Sequence, residues 1–288
     1  MNKLIALADQ LAVQEGFNRT HFPEIGIYRA SKSQERVPFF YQQGIILCLQ
    51  GEKNIYVEDR VYTYNKDHYL VVTVPLPLAC EVILEPQKPL LAIILDIKMQ
   101  SLNHIVHLMG QAVLNKLSSK PKESGVYTGA VRPDFLEIVY RLLKCLQTAE
   151  DTLILGQGIY QELLYFLLKD EKAAPLYALT MQNTNLSKVE MALKEIHRHF
   201  SRPIQVDELA QLVSMSTSSF HHAFKEVTAT SPIQYIKKIR LDKARDFMVQ
   251  NKMRVNEVAR EVGYESVSQF SREFKRYYGV SPKHFTQP

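Results

Sequence analysis

The sequence predicts an α+β chain of two domains: an amino-terminal antiparallel β-barrel or sandwich with flanking helices, then an all-α domain of two helix-turn-helix units. Three observations predict it. Between Ile25 and Ile97, short β-branched and aromatic runs alternate with turn formers. From Lys98 onward, apolar residues recur at helical spacing. The carboxy-terminal region also repeats itself, because Phe220, Phe224, Lys225, Ser231 and Pro232 return fifty positions later as Phe270, Phe274, Lys275, Ser281 and Pro282.

Taken in order, residues 2–15 read as a short amphipathic helix. It lacks the long apolar core and small-residue cleavage signal of a leader, and Asp9 interrupts it. No stretch reaches the roughly 18 apolar residues of a membrane span, so a cytoplasmic protein with no membrane partner is expected. The strand runs are residues 44–49, 54–57, 61–64, 69–74, 80–84 and 90–95, separated by turn formers such as Gly51, Asp59, Asn65 and Pro86. Helices are predicted over 98–116, with Leu102, Ile105, Val106 and Met109 on one stripe, and over 133–147 and 153–169. Residues 118–129, rich in Pro, Lys, Gly and Ser, read as a loop. The polar and Pro-containing stretch 171–187 reads as the interdomain linker. The first domain then spans 1–180, including a helical segment over 98–170, and the second spans 187–288.

After the linker, helices are predicted over 188–200, 206–213, 217–227, 232–249, 255–262 and 267–277, with a last turn from Pro282. Ser231 and Ser281 each precede a proline. A serine hydroxyl can accept a hydrogen bond from a free N–H at a helix start, and proline in the next position forfeits no intrahelical bond. Ser216 and Ser266 sit at the same place before the second helix of each unit. A short helix, a tight break and a second helix with an exposed polar face is the layout whose second helix enters the DNA major groove. Phe220 with Phe224, and Phe270 with Phe274, are spaced four apart and should face the core. That leaves Thr217, Ser218, His221, His222 and Lys225 outward on the first recognition helix. Val267, Gln269, Ser271, Arg272 and Lys275 are outward on the second. Gln and Arg can read adenine and guanine edges bidentately, Val can meet a thymine methyl, and Lys and Ser suit phosphates.

Charge agrees with this division. The net charge is +5, and from Ser187 onward 17 Lys and Arg face 11 Asp and Glu, leaving 18 against 19 before it. The basic excess belongs to the repeated domain, as expected of a polyanion-binding module joined to a near-neutral one. Helix 232–249, at about 1.5 Å per residue, spans roughly 27 Å, near the ~34 Å between successive major grooves on one face of B-DNA.

The segments Arg240 to Ala244, Val258-Ala259, Gly263 to Lys275 and Gly279 to Pro282 closely resemble the signature of AraC-type (AraC/XylS) transcription regulators, over about residues 189–285. One departure is Ala229, where the family usually has glycine, which is expected to strain that turn. Residues 44–51, 69–72 and 162–165 resemble the amino-terminal domain of one AraC subgroup. That resemblance implies a cupin-like barrel followed by helices, used for effector sensing or dimerisation. The implied partners are double-stranded promoter DNA, a small-molecule effector, RNA polymerase and a second copy of the chain, with no cofactor and no catalytic residues.

Other function classes find less support in the sequence. A metal-dependent cupin enzyme needs a ligand set, but His68 stands alone and His104 and His107 lie on a predicted helix, so no metal site is expected. Neither a phosphate-binding Gly-rich loop nor a Gly-x-Ser-x-Gly elbow occurs. Three widely spaced cysteines support neither a disulfide framework nor a zinc site. Cys48 or Cys80 could instead report an electrophilic effector, against the alternative that both are small buried hydrophobes. An architectural DNA-binding protein without a ligand is the remaining class.

Overall fold

Alternating burial along the chain produces two facing antiparallel sheets in the computed structural model, which describes residues 1–110 and 124–285. The larger sheet runs in the order β1 (Gly16–Arg19), β2 (Ile25–Ala30), β9 (Leu90–Asp96), β4 (Gly44–Gln50), β7 (His68–Val72) and β10 (Val126–Ala130). The smaller is ordered β3 (Gln34–Tyr41), β8 (Leu76–Ile83), β5 (Glu52–Val57) and β6 (Arg60–Tyr64). β4 and β9 are nearly continuous apolar runs because both faces of the larger sheet are covered. One face meets the smaller sheet. The other lies under α1 (Asn2–Leu11) and the helices α2 (Met99–Met109), α3 (Pro133–Cys145) and α4 (Ala149–Leu168). Tyr160 of α4 pins this layer by donating to the Asp96 carbonyl at 2.7 Å and accepting from the Lys98 amide at 2.9 Å.

Two expectations change. The stretch predicted as a loop over 118–129 enters a strand at Val126, where three β-formers, Val126, Tyr127 and Thr128, pair with β7. A helical segment over 98–170 is therefore interrupted by the last strand of the sheet. The rest of that loop and the end of the helix expected over 98–116 lie outside the described residues. The stretch read as a linker over 171–187 carries a helix, α5 (Ala174–Thr180), whose Leu176 and Tyr177 are fully buried. The Tyr177 hydroxyl donates to the Leu168 carbonyl at 2.7 Å. Composition suggests a linker because polar residues flank an apolar run of only seven, Ala173 to Leu179, too short to show a helical period.

The carboxy-terminal helices follow the predicted spans closely. They are α6 (Asn185–His199), α7 (Val206–Leu212), α8 (Thr217–Thr228), α9 (Pro232–Val249), α10 (Val255–Glu261), α11 (Val267–Tyr278) and α12 (Pro282–Phe285). Ser216, Ser231 and Ser266 each accept an amide hydrogen bond at a helix start. The repeat extends to the breaks. Ser214 and Gly263 adopt left-handed φ of 52° and 83° between the helices of each unit, and Ala229 and Gly279 do so at 55° and 79° after each recognition helix. The strain expected at Ala229 is thus present.

Buried apolar side chains form one cluster from the sheets through the first unit as far as Ile239. Leu241, Ala244, Met248, Val258, Val262, Phe270 and Phe274 form a second, belonging to the second unit. Arg240 stands between them. Its guanidinium donates to the carbonyls of Phe200 (2.7 Å), Arg202 (2.8 Å) and Gly263 (3.2 Å), tying both units to one side chain.

The smaller sheet has two different faces. Phe39, Tyr41, Lys53, Tyr64 and Cys80 point inward, whereas Pro38, Phe40, Pro77 and Ala79 point out toward the helical domain. There the Tyr235 hydroxyl of α9 donates to the Pro75 carbonyl at 2.9 Å. Having used its one proton, it accepts from His197 Nε2 at 2.8 Å. The rings of Phe40 and Phe224 pack edge-on against Tyr235, with centroids 5.9 and 5.6 Å away. Farther along, the Gly125 amide donates to the Val227 carbonyl at 3.0 Å. Burial, with a smaller contribution from Lys243, pushes His197 down to about 4.

Three tests follow from the breaks and the junction. A Cβ on Gly263 would lie 2.2 Å from the Ser201 carbonyl oxygen, so Gly263→Ala should destabilise the chain by about 2–4 kcal/mol in denaturant melts. Ala229→Gly relieves a left-handed Cβ and should stabilise by about 1 kcal/mol. His197 is depressed below its ordinary value, so its contribution is complete above pH about 6.5 and lost as pH falls through 4, of order 3 kcal/mol in full. Small-angle scattering from pH 7 to 4 should show the two halves separating, with His197→Gln flattening the transition.

Candidate nucleic-acid interface

The recognition helices are set by their aromatic pairs. Phe220, Phe224, Phe270 and Phe274 are fully buried, which fixes the rotation of α8 and α11 and turns the intervening polar residues outward. On α8, Thr217, Ser218, His222 and Lys225 are exposed and His221 is half-buried. Thr217 donates to Asp207 of α7 at 2.8 Å, so its hydroxyl braces the helix start. His222 lies 4.0 Å from Glu226. His221, His222 and Lys225 share a groove of about 730 Å³ with Val57, Glu58, Arg60 and Tyr62, so the β5–β6 hairpin stands beside the first recognition helix.

On α11, Gln269, Arg272 and Lys275 are exposed and Ser271 is half-buried. Arg272 and Lys275 form no ion pair among the described residues. Val267 is half-buried against the second core, which occupies part of its surface. Glu273 receives hydrogen bonds from Tyr264 (2.8 Å), Lys237 (3.2 Å) and Gln269 (3.4 Å). Burial would raise its carboxyl, but these donors outweigh it and hold the group below its ordinary value. Glu273 thus braces the inner side of α11 to α9 and orients Gln269. Ser268 and Arg276 are exposed beside Arg272 and complete its stripe. The same i, i+4 spacing that located the buried phenylalanines would have found them in the sequence.

Elsewhere, Cys48 and Cys80 are buried on strands, and burial pushes the Cys48 thiol up to about 12 and raises Cys80. Thiols so held carry almost no thiolate at neutral pH. Among the described residues no group of three or more His, Cys, Asp or Glu could hold a metal ion, and no helix is long and apolar enough to cross a membrane.

Comparison with known proteins adds to this geometry. Residues 21–175 match the family model for the AraC-type transcriptional regulator N-terminus, and residues 209–287 match a helix-turn-helix domain. The chain is similar to the HTH-type transcriptional regulator AlkR of Acinetobacter baylyi, 34% identical over 33% of this chain and 31% of AlkR. It is also similar to the lactose operon transcription activator of Staphylococcus xylosus, 25% identical over 62% of this chain and 65% of that one. These matches span a third to two thirds of the relatives' lengths. A crystal structure of Vibrio cholerae ToxT bound to an unsaturated fatty acid shares the fold, with a TM-score of 0.65 at 14% identity, over 91% of this chain and 94% of ToxT. With over half of its residues matched by the amino-terminal family model and a helix-turn-helix domain after them, the chain belongs to the AraC-type transcriptional regulators.

Proposed function

We propose that the chain is a one-component regulator that binds promoter DNA through α8 and α11 under the control of a small molecule held in its amino-terminal domain. Residues 1–180 form the sensing domain and residues 187–288 the DNA-binding domain. The carrying observation is the duplication itself: two helices, each rotated by a buried phenylalanine pair, present exposed polar and basic faces from units joined by one 18-residue helix. Arg272 and Gln269 read base edges, Val267 offers its remaining surface to a thymine methyl, and Ser218, Ser271, Lys225 and Lys275 hold phosphates. Thr217, His221 and His222 complete the first helix's approach to the groove. Such a protein acts by binding, without catalysis or cofactor.

Control follows from the docking of the first unit. The Tyr235 junction and the β5–β6 hairpin beside α8 hold the first recognition helix against the sensing domain. An effector that favours either the docked or the released arrangement shifts a pre-existing equilibrium. Cys48 and Cys80 lie in the interior of that domain with their thiols protonated, and enter this reading as small buried side chains. ToxT, with the same fold, has been crystallised with a fatty acid bound, which supports a small-molecule effector. Leu153, Ile154 and Leu155 stand exposed in sequence on α4 and support a homodimer through the α3–α4 layer. RNA polymerase is the expected partner of the promoter-bound form.

Fluorescence anisotropy on DNA upstream of the chain's own and neighbouring genes, against nonspecific duplex at two salt concentrations, tests the reading. Specific binding should survive competitor, and binding that disappears equally with competitor and salt would leave only electrostatic attraction. Arg272→Ala should cost about 1–3 kcal/mol at the cognate site and relax preference at one base pair. A uniform loss on all sequences would make Arg272 a phosphate contact.

A further inference from the structure

Lys53 lies inside the β-sandwich. Strand β5 turns it inward beside Ile55, and only 6% of its surface is exposed. Four rings from three other strands surround its ammonium: Tyr28 of β2 at 5.1 Å, Phe39 and Tyr41 of β3 at 5.4 and 5.6 Å, and Tyr64 of β6 at 6.0 Å. Among the described residues, Nζ donates to no hydrogen-bond acceptor and pairs with no carboxylate. The nearest polar atoms do not supply a counter-charge. Tyr41 and Tyr64 hydrogen-bond to each other at 2.8 Å, and Cys48 and Cys80 are buried thiols within range of the ammonium's field.

On the outside of the molecule each such cation meets a single ring: Arg36 sits 4.0 Å over Tyr56, Arg132 4.5 Å over Phe166 and Lys169 5.6 Å from Tyr165. Lys53 has four rings about it at 5.1–6.0 Å, and at that distance the ring faces give back only part of what taking a charge out of water costs. A buried ammonium with three unused N–H donors and an aromatic surround has the chemistry to receive an organic anion, its charge on Nζ and its apolar body against the rings.

We propose that Lys53 is the anchoring residue of the effector site, and that the effector is an organic carboxylate whose charged end pairs with Nζ between Tyr28, Phe39, Tyr41 and Tyr64. The inference rests on the effector-controlled reading above and identifies its ligand class. The location also supplies a route to the DNA-binding domain. Phe39 and Tyr41 alternate along β3 with Pro38 and Phe40, and Phe40 packs on His197 and Tyr235. Ligand packed on the inner face of β3 therefore pushes on the strand whose outer face carries the first helix-turn-helix unit.

The test uses the full chain and Lys53→Met, which keeps the stem and removes the charge. Thermal melts are run with hexanoate, decanoate and benzoate, each beside its primary amide. At least one carboxylate should raise the melting temperature of the wild type saturably, its amide should not, and Lys53→Met should lose the response. Without ligand, Lys53→Met should melt at or above the wild type, since an ammonium with no carboxylate partner has been removed from among the rings. The proposal is overturned if no carboxylate stabilises the wild type beyond equimolar chloride, if the response survives in Lys53→Met, or if the unliganded variant melts lower. Anisotropy on the upstream DNA is measured in parallel, and the stabilising carboxylate should change wild-type affinity about fivefold or more. Specific DNA binding by both proteins with no carboxylate response would sink the site and leave the regulator standing. Carboxylate binding through Lys53 without specific DNA binding would do the reverse.

Discussion

A buried tyrosine hydroxyl sits at the centre of the contact between the two halves of this protein. Tyr235 sits on the helix that links the helix-turn-helix units, yet its proton goes to the Pro75 carbonyl of the sensing domain and its lone pair to His197. Buried polar groups must be paired, so these partners come together or not at all. The rings of Phe40 and Phe224 close over the same point from opposite sides. The junction is polar at its centre and aromatic around it, and one apolar cluster runs across it, so its geometry is specific.

The smaller sheet makes such a junction useful. In the central strands β4 and β9 of the larger sheet both faces are apolar and covered, so they serve only the core. In β3 and β8 the period-two alternation assigns one face to the interior of the sandwich and the other to the helical domain. Information about the interior need cross only one strand to reach the DNA-binding half. No long relay is required, since neighbouring residues on the same backbone already face the two compartments.

Much of this was legible in the sequence. The internal repeat located both recognition helices and their caps to within a residue or two, because paired phenylalanines and Ser-Pro starts are local signals with local causes. The strands between residues 44 and 97 were equally readable from β-branched runs. Three features were hidden. β1 is only four residues, Gly16–Arg19, too short to show a period. β10 follows a polar stretch of sequence, and its pairing with β7 is a long-range event that composition does not record. Helix α5 looked like a linker because its apolar residues are packed by neighbours far away in the chain. On the outward faces of α8 and α11, the exposure of Arg272 and Lys225 could be read from spacing, but the bracing of Gln269 by Glu273 and of Thr217 by Asp207 needed the folded helices. Lys53 was invisible for a related reason. A lysine in a strand is ordinarily a solvated edge residue, and only the register of β5 against β6 and β8 turns it inward.

The division of the core at Arg240 sets how the two helix-turn-helix units can move. The first unit shares its apolar cluster with the amino-terminal domain and so inherits that domain's rigidity, whereas the second keeps a small cluster of its own and meets the β domain only where α11 lies against β3. Along α9, amide hydrogen exchange should therefore step down in protection between Ile239 and Leu241. A change in the angle between the units would then be taken up along the linking helix, with the first unit as the fixed reference.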